Sequence, residues 1–436
     1  MLQLRYRSSN AEGVQRAAPP ARIVRAPWKA SLLTFFMVMG PGLIVMEADN
    51  DAGAVSTYTQ AGAQYGTHLL WVLFLLLPIC YFVQEMVARL GIATGQGHAA
   101  MIYRRFGKWW GIFSLVDLQV LNFLTLVTEF AAINLAASKL GVAPIIAVPT
   151  SAVALTALVF TGSYLRWERI VIALCLLDMA WFVMAYVCAP HWNHVMRDTF
   201  VPSKPLGGFT QDWVFLVIGL VGTTIAPWQL FFQQSCVADK RLRFADLKFA
   251  RLDTAVGAVF TILVGGAMIL VGDAAYRHGI KFEDPAKMAV ALEAFGGPFL
   301  KNALLLMMIN AAVLGTTTIS LSSAWAYGEV MGWPHSLHKK PKEAPGFYIV
   351  YGLAVFSAAG LVLVPRAPLQ TIIIGVQVLA GLMLPSAIVF LQLLLNDREL
   401  LGDEWANKRW NNWVNWTIVA VLFLLSMVLA THFPTP

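Results

Sequence analysis

The sequence predicts an all-α polytopic membrane protein, a bundle of about eleven transmembrane helices of which two are broken. Three observations carry that expectation. First, 58% of the 436 residues are hydrophobic and 13% charged, and the mean hydropathy of +0.66 lies above the range of soluble globular domains. Second, the apolar residues gather into eleven stretches close to the ~20 residues that cross a bilayer. Third, the first and sixth stretches are interrupted near their middles by Gly, Pro and polar side chains.

The chain opens with a basic segment, residues 1–30, carrying Arg5, Arg7, Arg16, Arg22, Arg25 and Lys29. It has no short apolar core followed by a cleavage site and reads as a cytoplasmic tail rather than a secretory signal. Spans one to five follow as Ser31 to Ala63, His68 to Leu90, Gly111 to Ser138, Pro144 to Phe160 and Ile170 to Cys188. Spans six to ten are Trp213 to Cys236, Leu252 to Ala274, Pro298 to Trp325, Phe347 to Val364 and Leu369 to Leu395. Trp413 to His432 forms span eleven. With the amino terminus placed in the cytoplasm, 23 of the 31 Lys and Arg fall on that side and 8, including Lys139, Lys204 and Arg366, on the other. This asymmetry supports an odd number of spans in the plasma membrane with the amino terminus inside.

Span one contains Gly40-Pro41-Gly42 and then Glu47, Asp49, Asn50 and Asp51, with no Lys or Arg between Lys29 and Arg89. Charges at mid-membrane depth are costly unless neutralised, so these acids ask for a cation, a proton or a distant partner. Span six contains Gly222-Thr223-Thr224-Ile225-Ala226-Pro227-Trp228. Pro227 removes a backbone donor and Gly53 tolerates non-helical dihedrals, so both breaks free backbone groups inside the membrane. The breaks are five spans apart, as expected for two five-helix repeats of inverted topology, residues 31–188 and 213–395, with 413–432 as an added helix. Interrupted helices at matching positions point to a transport site.

At these residues the chain resembles the Nramp family of divalent metal transporters. The resemblance rests on Gly40-Pro41-Gly42, Asp51-Ala52-Gly53-Ala54, Gln60-Ala61-Gly62-Ala63, Tyr65-Gly66, Ala88 to Gly95, and Gln377 eight residues before Pro385. It implies the fold of the broken-helix amino-acid symporters and a metal site made of the Asp51 carboxylate, the carbonyls of Ala48 and Thr223, and the Gln377 amide. The departures matter as much. Ala54 stands where the family has an asparagine ligand, Ala226 where it has a methionine, and Trp228 and Gln233 where it has histidines; in span three Leu126 replaces an aspartate and Glu129 keeps a glutamate. The pattern is similar to the Nramp-related magnesium transporters.

A thioether favours transition metals over hard cations, so its loss at Ala226 leaves oxygen donors that suit Mg²⁺ and, by shared preference, Mn²⁺. The resemblance therefore implies carriage of a hydrated Mg²⁺ or Mn²⁺ without obligatory protons, since Leu126, Trp228 and Gln233 cannot titrate. The alternatives are a proton-coupled Mn²⁺/Fe²⁺ transporter and a sodium-coupled organic-solute symporter on the same fold; three acids in span one argue against an anionic substrate there. Glu47 and Asp49 are expected to support the site from a vestibule or to be solvated at a helix end, with Glu47 on the face of Asp51 if the helix persists. Trp228 is expected to wall the cavity, and Glu129 to provide a residual proton path.

No nucleophile and base pair or phosphate-cradling loop points to an enzyme, no cofactor is expected beyond the transported ion, and the sequence leaves the oligomeric state open, a monomer being compatible with it. The partners expected are divalent cations and lipid, not nucleic acid. His335, His338, Lys339, Lys340 and Lys342 read as a cytoplasmic loop, and Cys80, Cys175, Cys188 and Cys236 as packing residues. Asp117, Asp178 and Asp253 are read as structural acids, and Asn310 with Thr316 to Thr318 as residues that either hydrogen-bond across helices or face the cavity.

Overall fold

A computed structural model of the chain describes residues 38–203, 208, 210–364 and 367–432. The amino-terminal tail, the first residues of span one, Lys204 and Arg366 lie outside them. The described chain is helical throughout. In order run α1 (Pro41–Glu47), α2 (Ala52–Tyr65), α3 (Leu70–Thr94), α4 (His98–Phe106), α5 (Lys108–Lys139), α6 (Pro144–Val159), α7 (Tyr164–Leu177), α8 (Ala180–Val187) and α9 (Trp192–Phe200). Then come α10 (Gln211–Thr224), α11 (Pro227–Asp239), α12 (Leu247–Arg277), α13 (Pro285–Met331), α14 (Pro345–Val362), α15 (Leu369–Leu395), α16 (Arg398–Trp405) and α17 (Arg409–His432).

Eight segments among the described residues are long and apolar enough to cross a membrane. The other three expected spans are α1 with α2, the shorter α6, and α17. Polarity is distributed as a bilayer requires. Phe74, Leu75, Ile145, Ile146, Leu353 and Trp413 are exposed on the outside, whereas Glu47, Asp49, Asp51, Glu129 and Gln377 are buried.

The two expected breaks are present, and further interruptions that the sequence reading did not expect have local causes. Span one is two short helices separated by Ala48 to Asp51, and span six divides at Ile225 and Ala226. Span five also divides, at Asp178 and Met179, where no Gly or Pro announces it. Span eight is preceded by a helix from Pro285, joined across Gly297, whose φ of 68° breaks the helical path before Pro298. The connector helices α4, α9 and α16 are too short to register as spans.

Small residues bring the broken helices close to their neighbours. A Cβ on Gly62 of α2 would strike the Ile269 carbonyl, and one on Gly272 would strike the Thr59 carbonyl. Such backbone approach is how helices associate where lipid removes the hydrophobic drive. At one end of the bundle Lys240 holds Glu168 at 2.7 Å and donates to the Val38 and Met39 carbonyls at 3.1 and 2.8 Å. Buried Arg89 joins Glu85, the Trp405 carbonyl and Asn407.

Candidate ion site between the half-helices

The site begins with how α1 is held. Its first-turn amides have no intrahelical acceptor, and the buried Asp253 carboxylate takes them, accepting from Gly40 at 3.3 Å, Gly42 at 2.7 Å and Leu43 at 3.2 Å. A negative charge there also suits the helix dipole. At the other end the turn tightens, with Asp49 N–H donating to Met46 O and Asn50 N–H to Glu47 O. Asp51 then caps α2, accepting the Ala54 amide at 2.9 Å. In an unbroken helix Ala52 N–H would reach the Ala48 carbonyl; here it donates to Glu129 Oε2 at 3.2 Å, so the Ala48 carbonyl is released.

Proline does the equivalent work in span six. Thr223 O would accept from residue 227, which is Pro227 and has no N–H. The residue before a proline is pushed out of the helical region, and Ala226 is extended at φ −94°, ψ 145°. The two breaks are tied by the hydrogen bond between Tyr58 OH and Thr224 Oγ1 at 2.8 Å. α15 crosses close to both. A Cβ on Gly53 would occupy the position of the Gln377 amide, and one on Gly222 that of the Gln377 carbonyl.

The structure therefore brings together most of the expected set. Asp51, Glu129 and Gln377 are all buried, the Asp51 and Glu129 carboxylates lie side by side, and Ala54 and Ala226 are buried at the two breaks. Glu129 Oε1, Gln377 Nε2 and Thr223 Oγ1 have no hydrogen-bond partner among the described residues. Glu129 accepts the Ala52 amide beside Asp51, and Gly315 makes room for it, since a Cβ there would lie 2.7 Å from its carboxyl carbon. No described ion pair reaches Asp49, Asp51 or Glu129.

Two expectations need correction. Glu47 and Asp49 are not solvated at a helix end, being 0% and 3% exposed. Nor does Glu47 share a helix face with Asp51, because α1 ends at Glu47 and the intervening residues are not helical. Asp49 is the acid that lies beside Asp51, with the Gln229 amide next to it, while Glu47 turns towards Asn50 and Asp178. Trp228 is fully buried edge-on to Phe232, and its indole N–H has no partner among the described residues. Sequence reading missed Gln84 and Gln229, whose amides join at 2.6 Å behind the site; buried amides spaced along spans two and six were the available signal.

Chemically, two adjacent carboxylates, an amide and two carbonyls without backbone donors make a hard, oxygen-rich, negative environment. Such a set matches a hard cation rather than an anion or a soft metal. No described group of three or more His, Cys, Asp and Glu side chains is spaced to hold a metal; an ion here would rest on the carboxylates together with backbone and amide oxygens.

Comparison with known proteins identifies the family and the fold. Residues 42–432 match the family described as natural resistance-associated macrophage protein-like, Nramp. The divalent metal cation transporter MntH 1 of Pseudomonas aeruginosa is 27% identical over 423 residues, covering 93% of this chain and 94% of that protein. MntH of Staphylococcus aureus is 23% identical over 422 residues, covering 91% of each. Among solved structures, a manganese transporter of Eremococcus coleocola superposes with a TM-score of 0.78 at 19% identity, over 96% of this chain and 90% of that one. A sodium-coupled sialic acid symporter shares the fold more distantly, with a TM-score of 0.58 at 11% identity over 91% and 90%.

Proposed function

The chain belongs to the Nramp family, a family of transporters rather than enzymes, and on that premise we propose that it carries divalent metal cations across the membrane, Mg²⁺ first and Mn²⁺ as well. The ion binds at Asp51, Glu129, Gln377 and the carbonyls of Ala48 and Thr223. The observation that carries the Mg²⁺ assignment is the donor set: Ala54, in the first turn of α2, and Ala226, at the break in span six, supply no side-chain ligand. Mg²⁺ sheds water reluctantly and is commonly held by one or two carboxylates with several waters retained, so a site short of side-chain ligands suits it. A thioether, the ligand that would favour Mn²⁺ or Fe²⁺ over hard cations, is absent there.

Transport follows the electrochemical gradient without obligatory protons. Leu126, Trp228 and Gln233 carry no titratable proton, and an inward-negative potential supplies about 4.6 kcal/mol per 100 mV for a divalent ion. The protein sits in the plasma membrane with its amino terminus in the cytoplasm, residues 31–188 and 213–395 forming the two repeats and 413–432 the added helix. Purified protein in proteoliposomes tests the reading. Mn²⁺ uptake should be suppressed by excess Mg²⁺ and should not acidify the lumen; uptake indifferent to Mg²⁺ rejects the magnesium assignment, and metal-driven acidification rejects the uncoupled mechanism.

A further inference from the structure

A second group of buried acids lies on different helices from the ion site. Glu47 is the last residue of α1, Asp178 occupies the break between α7 and α8, and Asn310 lies on α13. Glu47 and Asp178 are fully buried and Asn310 is 7% exposed. The break is a tightened stretch in which Asp178 N–H donates to Cys175 O, Met179 N–H to Leu176 O, Trp181 N–H to Asp178 O and Phe182 N–H to Met179 O. That shift releases the Leu174 carbonyl, which accepts from Asn310 Nδ2 at 3.2 Å.

What this group leaves over is informative. Asn310 Nδ2 also donates to Asp178 Oδ1 at 3.0 Å. Both partners of that nitrogen are acceptors, so the amide orientation is set and Oδ1 is left without a partner among the described residues. Glu47 Oε2 accepts from Asn50 Nδ2 at 3.4 Å, while Glu47 Oε1 and Asp178 Oδ2 accept from no group among the described residues. The two carboxylates are close enough to act on each other's charge, and both act on Cys175. No described ion pair reaches either one.

Ordinary buried networks set donors against acceptors. Here the three atoms left over are all oxygens bearing lone pairs. A proton shared by the carboxylates would answer both of their leftover oxygens and still leave the Asn310 oxygen unmet. We propose that Glu47, Asp178 and Asn310 form a second cation site, which takes a hard divalent ion on the three oxygens that have no partner, separate from the site at Asp51. Oxygen donors select a hard cation, and two carboxylates balance a divalent one. An ion bound there ties the end of α1 to the α7–α8 break and to α13.

Counting bound Mn²⁺ by electron paramagnetic resonance on purified, chelator-stripped full-length protein tests the proposal without relying on transport. Wild type should bind two ions per chain and Asp51→Asn one. Adding Asp178→Asn or Glu47→Gln to Asp51→Asn should abolish that remaining ion, and Asn310→Asp should tighten it several-fold. Asn310→Asp guards against a double variant that fails to fold, as it adds a ligand charge and removes none. The proposal is overturned if Asp51→Asn alone leaves no bound ion, if the remaining ion is indifferent to Asp178→Asn and Glu47→Gln, or if Asn310→Asp leaves its affinity unchanged. None of these results bears on the flux assay that tests the Asp51 site.

Discussion

Glu129 on α5 accepts the backbone amide of Ala52 at 3.2 Å across a separation of 77 positions. One carboxylate thus holds the break open and also stands beside Asp51. Glu129→Gln keeps an acceptor and loses the charge, so the protein should fold with near-native thermal stability. Divalent uptake should fall by about ten-fold or more, because cation affinity follows the charge of the ligands. Glu129→Ala also strands a buried amide, at about 1–3 kcal/mol, and its melting temperature in detergent should drop as well. Equal melting temperatures for the two variants would refute the double role.

Asp253 gathers three amides at the start of α1. Asp253→Ala should destabilise the protein by about 2 kcal/mol or more, since stranded buried donors are costly, and Asp253→Asn by less because one acceptor remains. Thermal unfolding of the two variants checks the order. A loss confined to uptake, with unchanged melting, would show that the residue serves transport instead.

Ala226 is extended, buried and next to Pro227. Ala226→Met places a thioether at the break and should shift selectivity towards soft ions. Competition of Mn²⁺ uptake by Cd²⁺ should strengthen by roughly ten-fold, as one added contact worth about 1.4 kcal/mol gives, and competition by Mg²⁺ should weaken. Unchanged selectivity in a folded variant would mean that this position does not face the ion.

His98 at the start of α4 lies outside the spans and is fully buried, with Nδ1–H donating to Gln234 Oε1 at 2.8 Å and the ring edge-on to Phe231. Burial pushes its imidazole down from 6.5 to about 4. Between those values the unfolded chain binds a proton that the native chain refuses. Stability from this residue is therefore complete above pH 6.5 and lost as pH falls towards 4, by about 3 kcal/mol in all. Melting temperatures at pH 7 and pH 5 should differ less in His98→Asn, which keeps a donor to Gln234 and cannot titrate. An identical pH dependence in the two proteins would rule His98 out as its source.

The membrane class, the number of spans and the position of two breaks were legible because they rest on local chemistry. A bilayer demands long apolar segments whatever their neighbours, and Pro227 loses its donor in any fold. Span ten was read with the limits the structure shows, Leu369–Leu395. The acids of span one could be counted but not assigned. Asp49 and Glu47 are two residues apart, yet one meets Asp51 and Gln229 and the other Asn50 and Asp178. The direction of each depends on non-helical backbone at Ala48 to Asp51 and on helices more than a hundred positions away. The same holds for Asp253 at the start of α1, for Asp178 with Asn310, and for Glu129 with Ala52. Composition and periodicity settle which residues enter the membrane; only packing between distant helices decides which buried oxygen finds a donor and which does not.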